Sequence, residues 1–127
     1  MDFIEIPPEP NAVRPGGYTS KPVVVLAGAA TFSAAEDFLV AWKNSGRGPI
    51  LGEPTGGSTG QPLSFTLPGG GSARVCTKKD TFPGGLEWVG KGIDPDILVR
   101  PSVADIQARR DTTLERALAF LARTGAR

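Results

Sequence analysis

Val23, Val24, Val25 and Leu26 form an unbroken apolar run, and Pro49-Ile50-Leu51-Gly52 forms a second, with a helical pattern between them. Apolar runs without polar alternation suit strands covered on both faces, as in a parallel sheet. Parallel neighbours need a crossover, and such crossovers are right-handed. The helix supplies it. Ala35, Phe38, Leu39 and Trp42 fall at i, i+3, i+4 and i+7 over about Ala34 to Asn44. Glu36 and Asp37 lie in its first turn, Lys43 in its last, and Gly46 is placed to cap it. The spacing therefore predicts a strand–helix–strand unit.

The corner of that unit is Thr31-Phe32-Ser33-Ala34-Ala35-Glu36. Ser33 with Glu36 is S-x-x-E ahead of an apolar-periodic run, a capping box worth about 1 kcal/mol. The same position suits chemistry. The N–H groups at a helix start are unpaired and carry the positive end of the dipole. A serine there can attack a carbonyl while a neighbouring N–H holds the oxyanion. Local physics favours the cap, and both readings stand.

Residues 1–20 read as an extended arm rich in Pro and Gly, with one strand-like piece, Phe3-Ile4-Glu5-Ile6. So long an unpacked start suggests a fragment, or an arm that docks elsewhere. After Gly52 comes a Gly-rich loop to Gly60. Leu63 to Leu67 then alternates as a strand, Pro68 to Gly71 turns, and Ala73 to Thr77 pairs back as a hairpin. Trp88-Val89 and Ile97-Leu98-Val99 read as short strands. The last helix begins near Asp111, with Thr112 and Glu115 at capping-box spacing and a buried stripe of Leu114, Ala117, Leu118 and Leu121. The 127 residues suit one domain of α/β class with a mixed sheet.

Composition narrows the chemistry. A net charge of +1, from 14 basic and 13 acidic residues, favours neither nucleic acid nor an anionic membrane. No apolar run approaches the roughly 20 residues that cross a bilayer. The chain contains no histidine, so a Ser-His-Asp triad, a Cys-His pair and the usual His-based zinc sites are impossible within it. No cofactor and no metal are expected. The single cysteine, Cys76, excludes an internal disulfide and reads as a small buried hydrophobe in a strand. Gly52 to Gly57 has phosphate-loop spacing, but Ser58 stands where the lysine should follow and a strand-like run replaces the helix. A structural loop or the lining of a cleft is the better reading. Glu87, Asp94 and Asp96 read as turn residues before acid–base partners. Lys78 and Lys79 read as solvated, although a buried lysine of lowered pKa could activate a serine.

Several stretches together resemble a known family. They are Pro22-Val23-Val24-Val25-Leu26, Thr31-Phe32-Ser33-Ala34-Ala35-Glu36-Asp37-Phe38, and Gly52-Glu53-Pro54-Thr55-Gly56-Gly57-Ser58-Thr59-Gly60-Gln61. Leu67-Pro68-Gly69-Gly70, Arg74-Val75-Cys76-Thr77, Gly92-Ile93-Asp94-Pro95-Asp96 and Arg110-Asp111-Thr112-Thr113-Leu114-Glu115 follow in order. In order and spacing, over about residues 18–122, the chain resembles the C-terminal processing (tail-specific) serine peptidases, including the catalytic core of tricorn protease. The resemblance implies the Clp protease/crotonase-like spiral α/β fold, a mixed sheet with flanking helices. It implies that residues 21–127 are the C-terminal portion of a catalytic domain whose N-terminal part is absent.

The resemblance makes Ser33 the nucleophile and the Ala34 N–H an oxyanion donor, with a second donor in an earlier segment of the full-length protein. Many members activate serine with the lysine of G-E-K-T-x-G-K-G. Here Ser58 takes that lysine's place, so a Ser–Lys dyad is not implied. The tricorn-like branch uses a Ser-His pair with a supporting Ser and Glu, its histidine upstream of the nucleophile. Glu87 is then the residue expected as the supporting carboxylate, and Gly56, Gly57 and Ser58 as substrate-binding. The expected partner is a peptide or protein substrate, homo-oligomers are compatible with the family, and the bacterial periplasm or secretion is its common address. The isolated chain, lacking a base, is expected to have negligible peptidase activity. The alternative is a non-catalytic ligand-binding or interaction module, since a retinoid-carrying protein of the eye has the same fold. In a purely structural domain, Ser33 would only cap.

Overall fold

The structure is a computed structural model that describes residues 4–7, 16 and 19–125. Most of the expected arm, residues 1–20, lies outside the described residues. The order of elements is β1 (Val25–Ala27), α1 (Ala34–Ser45), β2 (Ile50–Gly52), β3 (Pro62–Thr66), β4 (Ser72–Cys76), β5 (Ile97–Leu98), α2 (Val103–Gln107) and α3 (Thr112–Thr124). β1, β2 and β5 form a parallel sheet in that order, with Val25 opposite Ile50 and Leu51 opposite Ile97. The expected strand–helix–strand unit is β1–α1–β2. Parallel and antiparallel pairing both occur, but in two separate sheets, since β3 and β4 pair only with each other.

β2 is the centre of the molecule. Ile50 and Leu51 are fully buried and point to opposite faces. On one face Ile50 packs with Leu39 of α1, Trp88 and Ile93. On the other, α3 lies against β1 and β2 and presents the buried Ala117. The strands approach so closely that a Cβ at Gly52, where φ is 129°, would stand 1.9 Å from the Ala27 carbonyl oxygen. Glycine is required there.

α1 ends as expected, on Gly46 in the left-handed conformation. Its inward face differs. Glu36 and Leu39 are its buried residues, whereas Phe38 is 52% exposed. The helix is turned so that a carboxyl group points inward, which is tolerable only because that group is fully hydrogen-bonded.

β3 and β4 make the expected hairpin, with Leu63 opposite Val75 and Phe65 opposite Ala73. It is joined to the body at Gly60, whose carbonyl accepts from the Thr77 and Lys78 N–H groups. Cys76 is exposed on this ribbon rather than buried, because a two-stranded ribbon has no second layer to bury it. Trp88-Val89 is not a strand: Trp88 is buried in a turn, whose carbonyl takes the Lys91 and Gly92 N–H groups.

α2 was not legible in the sequence. Ser102 caps it, accepting from the Asp105 N–H, while Asp105 returns a bond to the Ser102 N–H and pairs with Arg110. The Ser102 hydroxyl first, then Arg110, hold the Asp105 carboxyl well below the usual carboxylate range. A depressed value means that the contribution to stability is complete above an ordinary aspartate pKa of about 3.9 and is lost as pH falls through the folded value. The gap in melting temperature between the protein and Asp105→Asn, measured by circular dichroism, should therefore be constant above about pH 4 and narrow progressively as pH falls below it.

The cap of α3 is Asp111, which accepts from the Leu114 N–H at 2.9 Å, in place of the expected Thr112. Asp111→Ala should lower the unfolding free energy by about 1 kcal/mol in denaturant titration. Of the expected stripe, Ala117 is buried and Leu121 half-buried, while Leu114 and Leu118 are exposed because the sheet beneath is only three strands wide. Among the described residues, no helix is long and apolar enough to cross a membrane.

Candidate active site

Ser33 stands where β1 has ended and α1 begins. Its backbone is at φ 57° and ψ −129°. Positive φ is uncommon outside glycine, and this ψ lies outside the ordinary left-handed helical region. Strain of this kind costs about 1–3 kcal/mol and persists only where the surroundings over-determine it. The surroundings here are explicit. The Ser33 N–H is shared between the Ser58 carbonyl at 2.7 Å and Glu36 Oε2 at 3.1 Å. The Ser33 carbonyl accepts from the N–H groups of Glu36 and Asp37.

This turn decides the role of the hydroxyl. The Ser33 side chain makes no cap hydrogen bond, because the Glu36 N–H goes to the Ser33 carbonyl at 2.7 Å instead. The glutamate half of the box, in which the Ser33 N–H donates to Glu36 Oε2 at 3.1 Å, holds the chain. The Ala34 N–H has no acceptor among the described residues. Ser33 is half-buried and Ala34 exposed, so a hydroxyl and an unpaired N–H lie together at the positive end of a helix.

The Gly-rich loop is pressed against this corner. The Gly56 N–H donates to the Thr31 carbonyl at 2.8 Å. Gly57 and Ser58 donate their N–H groups to Glu36 at 2.7 and 2.9 Å. The N–H groups that a phosphate would need thus face a carboxyl group, which removes the nucleotide reading. Gly56 and Ser58 are exposed beside Ser33, while Gly57 is buried at φ 67° beneath Gly90, Lys91 and Gly92. A Cβ at Gly57 would meet the Gly92 nitrogen at 2.6 Å.

Glu36 was the residue missed by sequence reasoning as more than a cap. It is 0% exposed, and Thr55 joins Gly57, Ser58 and Ser33 as a donor to it. Thr55 Oγ1 in turn accepts from the Ile93 N–H at 2.7 Å. The only local sign was its place in S-x-x-E. The convergence spans about twenty residues of chain and has no local signature.

Glu87 is exposed and ion-paired with Lys79 at 2.5 Å, and that lysine's hydrogen bond holds its carboxyl below the ordinary range. It makes no hydrogen bond to Ser33 among the described residues. Lys78 pairs with Asp80, whose hydrogen bond raises the lysine's pKa, the opposite of what a base for Ser33 requires. Asp96 accepts from the Ile50 N–H and pairs with Lys43, a structural turn role. A cavity of about 570 Å³ lined by Lys43, Pro49, Phe82 and Asp96, and one of about 160 Å³ lined by Asp37, Lys78, Asp80 and Trp88, both exclude Ser33.

Residues 8–99 match the model of Peptidase family S41. A candidate peptidase from Parabacteroides merdae ATCC 43184 is 33% identical over 81% of this chain, with a TM-score of 0.71. Mature CPAF is 27% identical over 74% of the chain, with a TM-score of 0.68. The photosystem II D1 C-terminal processing protease is 33% identical over 66%, with a TM-score of 0.54. The chain spans 32%, 18% and 22% of these three structures, respectively.

Proposed function

The chain belongs to peptidase family S41, and from that premise we propose that it carries the nucleophile of a serine-type peptidase. Ser33 Oγ attacks the scissile carbonyl of an extended peptide as a base takes its proton. The oxyanion rests on the Ala34 N–H, and the base returns the proton to the leaving amine. Water then attacks the acyl-enzyme, releasing the acid and restoring the serine. Gly56 and Ser58 border the peptide, and Gly57 holds the loop beneath them. The base is a histidine outside these residues, since the chain has none. Residues 21–127 form the C-terminal portion of a crotonase-like spiral catalytic domain. The supporting role expected of Glu87 has no geometric support, because its carboxyl is engaged by Lys79.

The observation that carries the proposal is a serine held at a strained φ at a helix start, where the next N–H, that of Ala34, has no acceptor among the described residues. The test is fluorophosphonate labelling. The complete protein should be labelled at Ser33, as read by peptide mass, and the isolated 127-residue chain should be labelled negligibly. Labelling of the complete protein at another residue would overturn it. One observation favours a second reading, a ligand-binding module of the same family: Lys78 and Lys79 are both paired with carboxylates, and among the described residues neither bonds to Ser33. A complete protein that is not labelled, yet retains a peptide or small molecule, would decide for that reading.

A further inference from the structure

We propose that Glu36 is the positioning residue of this site, and that it sets the Ser33 hydroxyl through the main chain without touching substrate. The inference rests on the peptidase reading. An N-terminal cap needs one bond, from Glu36 to the Ser33 N–H. Glu36 has four donors on two oxygens: Thr55 Oγ1 and the Gly57 N–H on Oε1, the Ser33 and Ser58 N–H groups on Oε2. These fill the acceptor capacity of a carboxylate. Three of the four come from the Gly-rich loop.

The consequence is geometric. The strained backbone of Ser33 is gripped on its N–H by both Glu36 and the Ser58 carbonyl, and Ser58 is itself bound by Glu36. Elbow and loop therefore move as one piece. Thr55 extends the piece, because its hydroxyl accepts from the Ile93 N–H while donating to Glu36. Glu36 thus fixes the angle between the Ser33 hydroxyl and the Ala34 N–H, the relation on which attack and oxyanion binding depend.

In the complete enzyme, Glu36→Gln should lower kcat by about 100-fold with KM within about twofold, the pattern of a misplaced nucleophile rather than a lost binding contact. The amide presents only one acceptor oxygen and adds two donors. Thr55→Val should lower kcat in the same way, and Thr55→Ser, which keeps the hydroxyl, should restore it. Unchanged kcat in a folded Glu36→Gln protein, or equal rates for Thr55→Val and Thr55→Ser, would overturn the proposal. If Glu36→Gln does not fold, the Thr55 pair decides. If the wild type is no faster than Ser33→Ala, the peptidase reading has failed, and the clamp is judged by amide proton resonances alone. Those of Ser33, Gly57 and Ser58 should then shift together in Thr55→Val and not in Thr55→Ser, and independent shifts would refute it.

Discussion

On the proposed peptidase reading, Ser33→Ala in the complete protein is expected to lower kcat by about a millionfold, the scale seen when a serine nucleophile is removed from a hydrolase. The same substitution should leave stability within about 0.5 kcal/mol of wild type. That combination is diagnostic. Were Ser33 a cap, alanine would cost about 1 kcal/mol and leave turnover intact. The hydroxyl makes no cap bond, and the box is held by Glu36 and by backbone groups that alanine retains. Progress curves on an extended peptide, run beside thermal melts, read both quantities. A stable protein with undiminished turnover would remove Ser33 from the chemistry.

Trp88→Ala is expected to destabilise the protein by about 3–5 kcal/mol, a large share of the roughly 5–15 kcal/mol that holds a domain folded. Trp88 is 2% exposed and packs with Leu39, Ile50 and Ile93, so its loss opens a cavity between α1 and β2. The effect should reach the site. The Trp88 carbonyl closes the turn that carries Gly90, and the Gly90 N–H donates to the Gly57 carbonyl at 2.7 Å. Chemical denaturation measures the stability, and labelling of Ser33 below the unfolding transition measures the site. A loss under about 1 kcal/mol would mean that the indole is not the keystone its burial indicates.

The sequence was most readable where period and punctuation agree. Leu39 and Gly46 place α1, the run at Ile50 and Leu51 places β2, and Pro68 to Gly71 places the hairpin. It misled where tertiary contacts outweigh local pattern. The apolar spacing predicts burial of Phe38 as well as Leu39 and Trp42; Trp42 does pack against the core, but Phe38 is exposed and Glu36 takes an inward position, where distant donors bind it. Thr112 and Asp111 are adjacent and both suit a cap. α2 is only five residues long, too short for periodicity to register. At the site, the strand–serine–helix corner was legible, but the positive φ of Ser33 was not. The expectation that Ser33 is a nucleophile came from family resemblance, since capping statistics alone favour a cap.

Ser33 and the Gly-rich loop leave the parallel sheet at the same end: the serine follows β1, and the loop follows β2. A scaffold with this polarity separates its tasks. Insertions after Ala27 or Gly52 would reshape recognition at one rim while the layers behind them kept their registration. Diversification of such a protein should therefore be concentrated in its connections, with the strands themselves nearly silent.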